Sequence, residues 1–230
     1  VPASLVRPVR HLLATACDLV LPVNCLTCGQ PGSRWCPICA HTLPARRSVA
    51  ELPVVAAGEY ADGLRRAIIT YKERHDLAVA PALARKLDDA VQCLLDDVLE
   101  PDRDDVTVVL VPVPSSRSAA RRRGGDHVRR LARAACRTAP TDVAGRVLSV
   151  GTPLRLRGRV ADSAGLGRAD RRRNISHRMS AARPPGSAIV GVLVDDVVTT
   201  GATLREAARA LSVAGWPVLG AAVLATTPMH

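Results

Sequence analysis

The sequence predicts an α/β chain with a mostly parallel sheet, preceded by a small module built on four cysteines. Three observations carry this. Ile189 to Val194 and Val106 to Val111 are unbroken apolar runs rich in β-branched residues, as in strands buried on both faces. Stretches with apolar residues at helical spacing lie between such runs, and strands alternating with helices imply parallel pairing. Ahead of them stand two C-x-x-C pairs, Cys25/Cys28 and Cys36/Cys39.

In chain order, Ser4 to Leu21 reads as a helix with Leu5, Val9, Leu12, Leu13, Ala16 and Val20 on one face, ended by Pro22. In the cysteine pairs, each knuckle turns tightly enough to aim two thiolates at one point. Four thiolates satisfy tetrahedral Zn²⁺ with no open position, so a structural zinc on Cys25, Cys28, Cys36 and Cys39 is expected. Local disulfides or free thiols are the alternative. Cys17, Cys93 and Cys136 fall in helical patterns and read as buried thiols. Pro44 to Ser48 reads as a linker, which separates residues 1–44 from a larger domain, residues 49–230.

Leu52 to Ala57 then reads as a strand, and Tyr60 to Arg74 as a helix with Leu64, Ile68 and Tyr71 inward. A longer Ala- and Leu-rich helix covers Asp76 to Leu99. Val106 to Val111 runs into Pro112-Val113-Pro114-Ser115-Ser116-Arg117. The basic run Arg121-Arg122-Arg123-Gly124-Gly125 leads to a helix over Asp126 to Thr138, and Val143 to Val150 reads as a short strand. Arg155 to Arg183 holds nine arginines with few large apolar residues. It reads as no core element, but as a basic lid, a nucleic-acid-facing arm or a solvated face.

Composition narrows the class. Apolar residues make up 47% of 230, yet Phe is absent, so the core must be Val, Leu, Ile and Ala. A formal charge of +11, almost all from arginine, favours polyanionic ligands such as phosphorylated metabolites or nucleic acid. No apolar run approaches the roughly 18 to 20 residues that span a bilayer. Leu13 to Cys17 faintly suggests a lipoprotein cleavage site, but Pro2, Arg7, Pro8 and Arg10 leave no apolar region before it. A cytoplasmic protein with reduced thiols is the expectation.

The chemistry concentrates in Ile189 to Leu211. After the apolar strand come Asp195 and Asp196, then Thr199-Thr200-Gly201-Ala202-Thr203, then a helix with Leu204, Ala207, Ala208 and Leu211 on one side. A helix N-terminus after a glycine loop offers N–H groups and a positive dipole end to an anion. Gly201 lets the backbone approach a phosphate, and the threonines add hydroxyl donors. Carboxylates repel phosphate; they suit sugar hydroxyls or a hard cation such as Mg²⁺. Together these describe a ribose 5-phosphate. The plain alternative is a capped strand–loop–helix, with Thr203 and Glu206 as a capping box. A Walker B reading would need a G-x-x-x-x-G-K-[ST] loop, and neither Lys72 nor Lys86 has that context. Gly165-Leu166-Gly167 lacks the third glycine of a dinucleotide fingerprint.

Val192 to Thr203, VLVDDVVTTGAT, resembles the phosphoribosyl-pyrophosphate signature of the type I phosphoribosyltransferases. The resemblance implies that fold. It implies that Asp195 and Asp196 hold the ribose 2′- and 3′-hydroxyls, and that Thr199, Thr200, Gly201, Ala202 and Thr203 hold the 5′-phosphate. The order of segments is similar to the competence protein F (ComF) family, phosphoribosyltransferase-like proteins associated in some bacteria with DNA uptake. Those segments are a cysteine ribbon, Y-x-x-x-L-R-x-x-I-x-x-x-K (Tyr60 to Lys72), V-P-V-P-x-x-R, R-G, R-x-x-N and VDDVVTTGAT. The match runs from Cys25 onward and carries Lys72, Arg117, Arg123, Gly124, Arg171 and Asn174 onto family positions. Where the family continues R-G-F-N-Q, this chain has Arg123-Gly124-Gly125-Asp126-His127, without the aromatic or either amide.

The reaction so implied breaks the anomeric C–O bond as positive charge builds on the sugar. Arg117 and Lys72 are then the candidate catalytic groups at departing pyrophosphate, with Mg²⁺ carried by the substrate. No His, Glu or Cys stands out as a general base. Three readings follow: a transferase on an unknown acceptor, a non-catalytic phosphoribosyl-pyrophosphate binder acting in DNA uptake or its regulation, and a nucleic-acid adaptor using the zinc ribbon and the basic arm, with single-stranded DNA or DNA-uptake proteins as partners. Neither acceptor nor oligomeric state is legible.

Overall fold

The structure is a computed structural model that describes residues 23–100, 106–122, 124–138, 148–157 and 177–228, with Arg117 and Thr138 described through their backbone alone. The helix expected over residues 4–21, Cys17, Arg123, Arg171 and Asn174 lie outside the described residues. So do residues 143–147 of the short strand expected before Val150 and most of the arginine-rich segment. The chain divides into two compact units between His41 and Thr42. Among the described residues no helix is long and apolar enough to cross a membrane.

The smaller unit is held by tight turns. The amide of Cys25 donates to the Gln30 carbonyl and that of Gly29 to the Cys25 carbonyl, each within 2.9 Å. Gly29 and Gly32 take positive φ, which the chain needs to reverse between the knuckles. Trp35 and Ala40 supply its small buried apolar surface.

The larger unit is α/β. Its strands are β1 (Ala45–Val49), β2 (Leu52–Ala56), β3 (Thr107–Pro112), β4 (Leu148–Val150), β5 (Leu154–Leu156), β6 (Met179–Ala181), β7 (Ile189–Val198) and β8 (Val218–Thr226). Its helices are α1 (Asp62–Glu73), α2 (Ala80–Val98), α3 (Arg117–Arg122), α4 (His127–Thr138) and α5 (Ala202–Val213). Six strands form one sheet in the order β1-β2-β8-β7-β3-β4. Every neighbouring pair is parallel except β1 with β2. β5 and β6 make a separate antiparallel hairpin.

Both faces of the sheet are covered, as a parallel sheet requires. Alternate residues Val54, Val109, Val111, Leu193, Ala221 and Val223 pack with Leu204, Ala207 and Leu211 of α5. The hairpin closes over the same side through Leu154 and Met179. On the opposite face α2 lies against β8 and β2 and also meets α4. Gly220 marks how close α2 comes: a Cβ there would stand 2.8 Å from Leu94.

Three expectations are corrected. Pro44 to Ser48 is no linker, because Ala45–Val49 pairs with Leu52–Ala56 as an edge strand. Its turn residues Ala50 and Glu51 both take positive φ, a conformation that neither residue type advertises. Arg117–Arg122, expected as loop and basic run, is a short helix. Arg155 to Arg183 is not wholly outside the core, since Met179 is 4% exposed and anchors the hairpin at the arm's base. β8, central in the sheet, has no counterpart among the expected elements. Its sequence VLGAAVLAT is small and apolar throughout, with no period to read.

Candidate functional site

β7 pairs with β3 only as far as Val194, but with β8 as far as Val198. Asp195 and Asp196 therefore stand where β7 outruns β3. The chain leaves β3 through α3 and α4 to reach β4 on one side, and leaves β7 through α5 to reach β8 on the other. Loops that diverge from adjacent parallel strands leave a crevice at the strands' C-terminal ends, the usual ligand position in open α/β sheets.

On the β7 side, Gly201 begins α5 with φ +71, and a Cβ there would come within 2.4 Å of Val49 Cγ1. Glycine is needed twice over, for the left-handed backbone and for the close approach of β1. The N-cap Gly201 offers no side chain to the first turn of α5, where the Ala202 amide donates to Thr200 Oγ1 at 3.4 Å. Glu206 forms no capping box with Thr203; it is buried, accepts from the Met179 amide at 2.9 Å and pairs with Arg209, which donates to the Met179 carbonyl. Thr199 is exposed and Thr200 and Thr203 half-buried, while Gly201 and Ala202 are buried. Arg47 of β1 donates to the Thr199 carbonyl at 3.3 Å and to Thr226 Oγ1 at 2.8 Å. Its neighbour Arg46 points the other way, to Asp97.

The two acids differ sharply. Asp195 is half-buried and accepts from the Asp196 amide at 2.8 Å. Burial and the adjacent Asp196 charge push its carboxyl up to about 8. Asp196 is 7% exposed. Its Oδ2 meets Lys72 Nζ at 2.5 Å and His127 Nε2 at 2.7 Å, and its Oδ1 accepts from the Val197 amide at 2.7 Å. Burial opposes its ionisation, but the His127 hydrogen bond and the Lys72 ammonium outweigh burial and hold the carboxyl far below the usual range.

Lys72 and Asp196, both singled out in the sequence, are thus brought together. Arg117 opens α3 just beyond β3, in the other wall of the crevice, with its side chain outside the description. His127 was not recognised from sequence. It is 4% exposed, the first residue of α4, and receives the Tyr71 hydroxyl on its backbone carbonyl at 3.2 Å. A glycine pair with positive φ at Gly124 and Gly125 and an Asp126 carboxylate accepting from the Arg129 amide set the start of that helix. The G-G-D turn before an arginine-rich amphipathic helix is the available signal; only the fold shows that it delivers His127 to an acid on β7. Elsewhere, a cavity of about 470 Å³ opens between the hairpin and the C-terminal half of α5, lined by Arg157, His177, Met179, Arg183 and Arg209.

In the smaller unit the sulfurs of Cys25, Cys28, Cys36 and Cys39 all lie within 4.8 Å of one another. Cys28 and Cys36 Sγ are 3.7 Å apart. Four thiolates about 2.3 Å from one Zn²⁺ stand about 3.8 Å from each other, so the arrangement fits a tetrahedral site. Burial opposes ionisation of Cys25, yet amide donors from Cys28, Cys36 and Thr27 bring it down to about 6. Hydrogen bonding to Cys28 is the largest influence pushing Cys39 up, to about 12. A divalent ion would displace the protons such a cluster otherwise shares. The four cysteines could hold a structural metal, and leave no ligand position for catalysis.

Compared with known proteins, the chain matches no family model and no curated protein.

Proposed function

We propose that the larger unit binds phosphoribosyl pyrophosphate as its Mg²⁺ complex and transfers the phosphoribosyl group to an acceptor, on a type I phosphoribosyltransferase fold, while the smaller unit is a structural zinc ribbon. One observation carries the reading: an acidic pair near the end of β7 and the glycine-led helix N-terminus that follows it stand together at the crevice between β7 and β3. The 5′-phosphate would take the amides and hydroxyls of Thr199 to Thr203. A carboxylate would accept from the ribose hydroxyls. The bond from the anomeric carbon to pyrophosphate oxygen breaks, pyrophosphate leaves with both electrons as its Mg²⁺ complex, and the acceptor's lone pair closes on the carbon as its proton passes to pyrophosphate oxygen or to water. The loop from Pro112 to Arg117 stands on the side where pyrophosphate would leave, so Arg117 is the candidate for the developing charge. Resemblance to the competence family links this activity to DNA uptake.

A coupled pyrophosphate assay with a panel of bases and amines tests the reading. The expected result is release with at least one acceptor, lowered roughly 10²-fold in Arg117→Ala with much less change in ligand affinity. Binding without release for any acceptor would replace transfer with ligand sensing.

A further inference from the structure

We infer that His127 is a positioning residue which, with Lys72, holds Asp196 out of ligand contact, so that Asp195 alone presents its carboxyl oxygens to the sugar. This rests on the phosphoribosyl-pyrophosphate reading and divides the acidic pair between two tasks.

Lone pairs set the limit. A carboxylate oxygen accepts about two hydrogen bonds. Asp196 Oδ2 already takes Lys72 and His127, and Oδ1 takes the Val197 amide. One acceptor position remains on Asp196, on a residue only 7% exposed. Among the described residues Asp195 accepts one bond, from the Asp196 amide, and is the more open of the two. Its remaining positions are available to hydroxyl donors.

His127 is built for this role and for no ligand contact of its own. Its Nε2 faces a carboxylate oxygen and must carry a proton to donate there. Its Nδ1 is buried and finds no hydrogen-bond partner among the described residues. Such a ring is an expensive way to fill space, because a buried nitrogen without a partner costs roughly 1–3 kcal/mol. The single bond to Asp196 is what the imidazole adds that an apolar side chain would not. Consecutive residues of α1 fix the arrangement, Tyr71 through the His127 carbonyl and ring edge and Lys72 through the shared oxygen. Lys72 is therefore committed to Asp196 and stands as a second clamp, not as a pyrophosphate ligand.

Titration calorimetry of the full chain with phosphoribosyl pyrophosphate and Mg²⁺ tests the division. Asp195→Asn should weaken binding at least tenfold more than Asp196→Asn. His127→Leu should weaken it about tenfold with the melting transition still cooperative, and His127→Gln, whose amide can donate to Asp196, should recover most of that loss. Adding Asp196→Asn to His127→Leu should cost little more, because the two act through one bond. Equal losses for the two acids, or no rescue by glutamine, would overturn the inference. Nitrogen NMR of the ligand-free chain reads the clamp without any ligand: an Nε2-protonated His127 whose signal shifts in Asp196→Asn supports it, and an unshifted signal overturns it. A wild-type chain that binds nothing, beside an intact NMR signature, would instead overturn the proposed function.

Discussion

In the four-cysteine module every candidate ligand comes from residues 25–39, and two turns bring the sulfurs together. The crevice draws its candidate groups from six elements: Arg47 on β1, Lys72 on α1, Arg117 at the start of α3, His127 on α4, the acids on β7 and the amides of α5. The first site can form with a metal and a short peptide. The second exists only when the sheet has closed. A local site is stabilised by what it binds, whereas a dispersed one is stabilised by the fold and can hold costly groups in place before any ligand arrives.

The largest expected effect tests the local half. Cys36→Ser with Cys39→Ser should abolish an otherwise stoichiometric zinc and unfold residues 23–41, since a structural zinc contributes on the order of 10 kcal/mol. Elemental analysis with limited proteolysis reads both. Zinc content unchanged in the double variant would contradict the assignment.

In the dispersed half, Gly201→Ala should lower stability by roughly 1–3 kcal/mol, from a left-handed backbone and contact with Val49. Val49→Ala in the same chain should return the contact part and leave the backbone part. Denaturant titration of the four chains resolves the two. Simple additivity would mean that β1 does not press on the loop.

These two cases show what sequence could tell. Spacing alone identified the cysteine cluster, because the ligands and their geometry are local. The strand, acidic pair, glycine turn and helix of VDDVVTTGAT were equally legible, as was the doubly buried strand β3. β1 was not, since ARRSV carries two charges and its turn is Ala-Glu, where glycine or asparagine would signal a hairpin. Arg47 went unnoticed with it. β8 lacked periodicity because both its faces are buried. His127 was hidden for a different reason: sequence distance separates it from Asp196 by 69 positions, and only sheet order makes them neighbours.

A smaller effect separates the acids by pH. Asp195 is raised from 3.8 to about 8 in the folded chain, so its contribution to stability is fully present below its ordinary pKa and is lost as pH climbs through about 8. Asp196 is depressed, so its contribution is present at neutral pH and is lost on acidification. Asp195→Asn should therefore melt higher than wild type, by a margin that widens from pH 5 to pH 9, whereas Asp196→Asn should melt lower at pH 7. Melting curves that leave the Asp195 margin constant with pH would contradict the contrast drawn between the two carboxyls.

On the proposed function, the crevice holds phosphoribosyl pyrophosphate through a carboxyl of its acidic pair and through the glycine-led helix. Calorimetric titration of the wild-type chain and of Asp195→Asn with Asp196→Asn tests it most directly. At pH 9, where Asp195 is ionised, loss of its charge-assisted hydrogen bonds should cost about 3 kcal/mol or more, over a hundredfold in affinity. Saturable binding by the wild type and that loss in the double variant is the predicted result. No binding by the wild type, or equal affinity in the two chains, would contradict it.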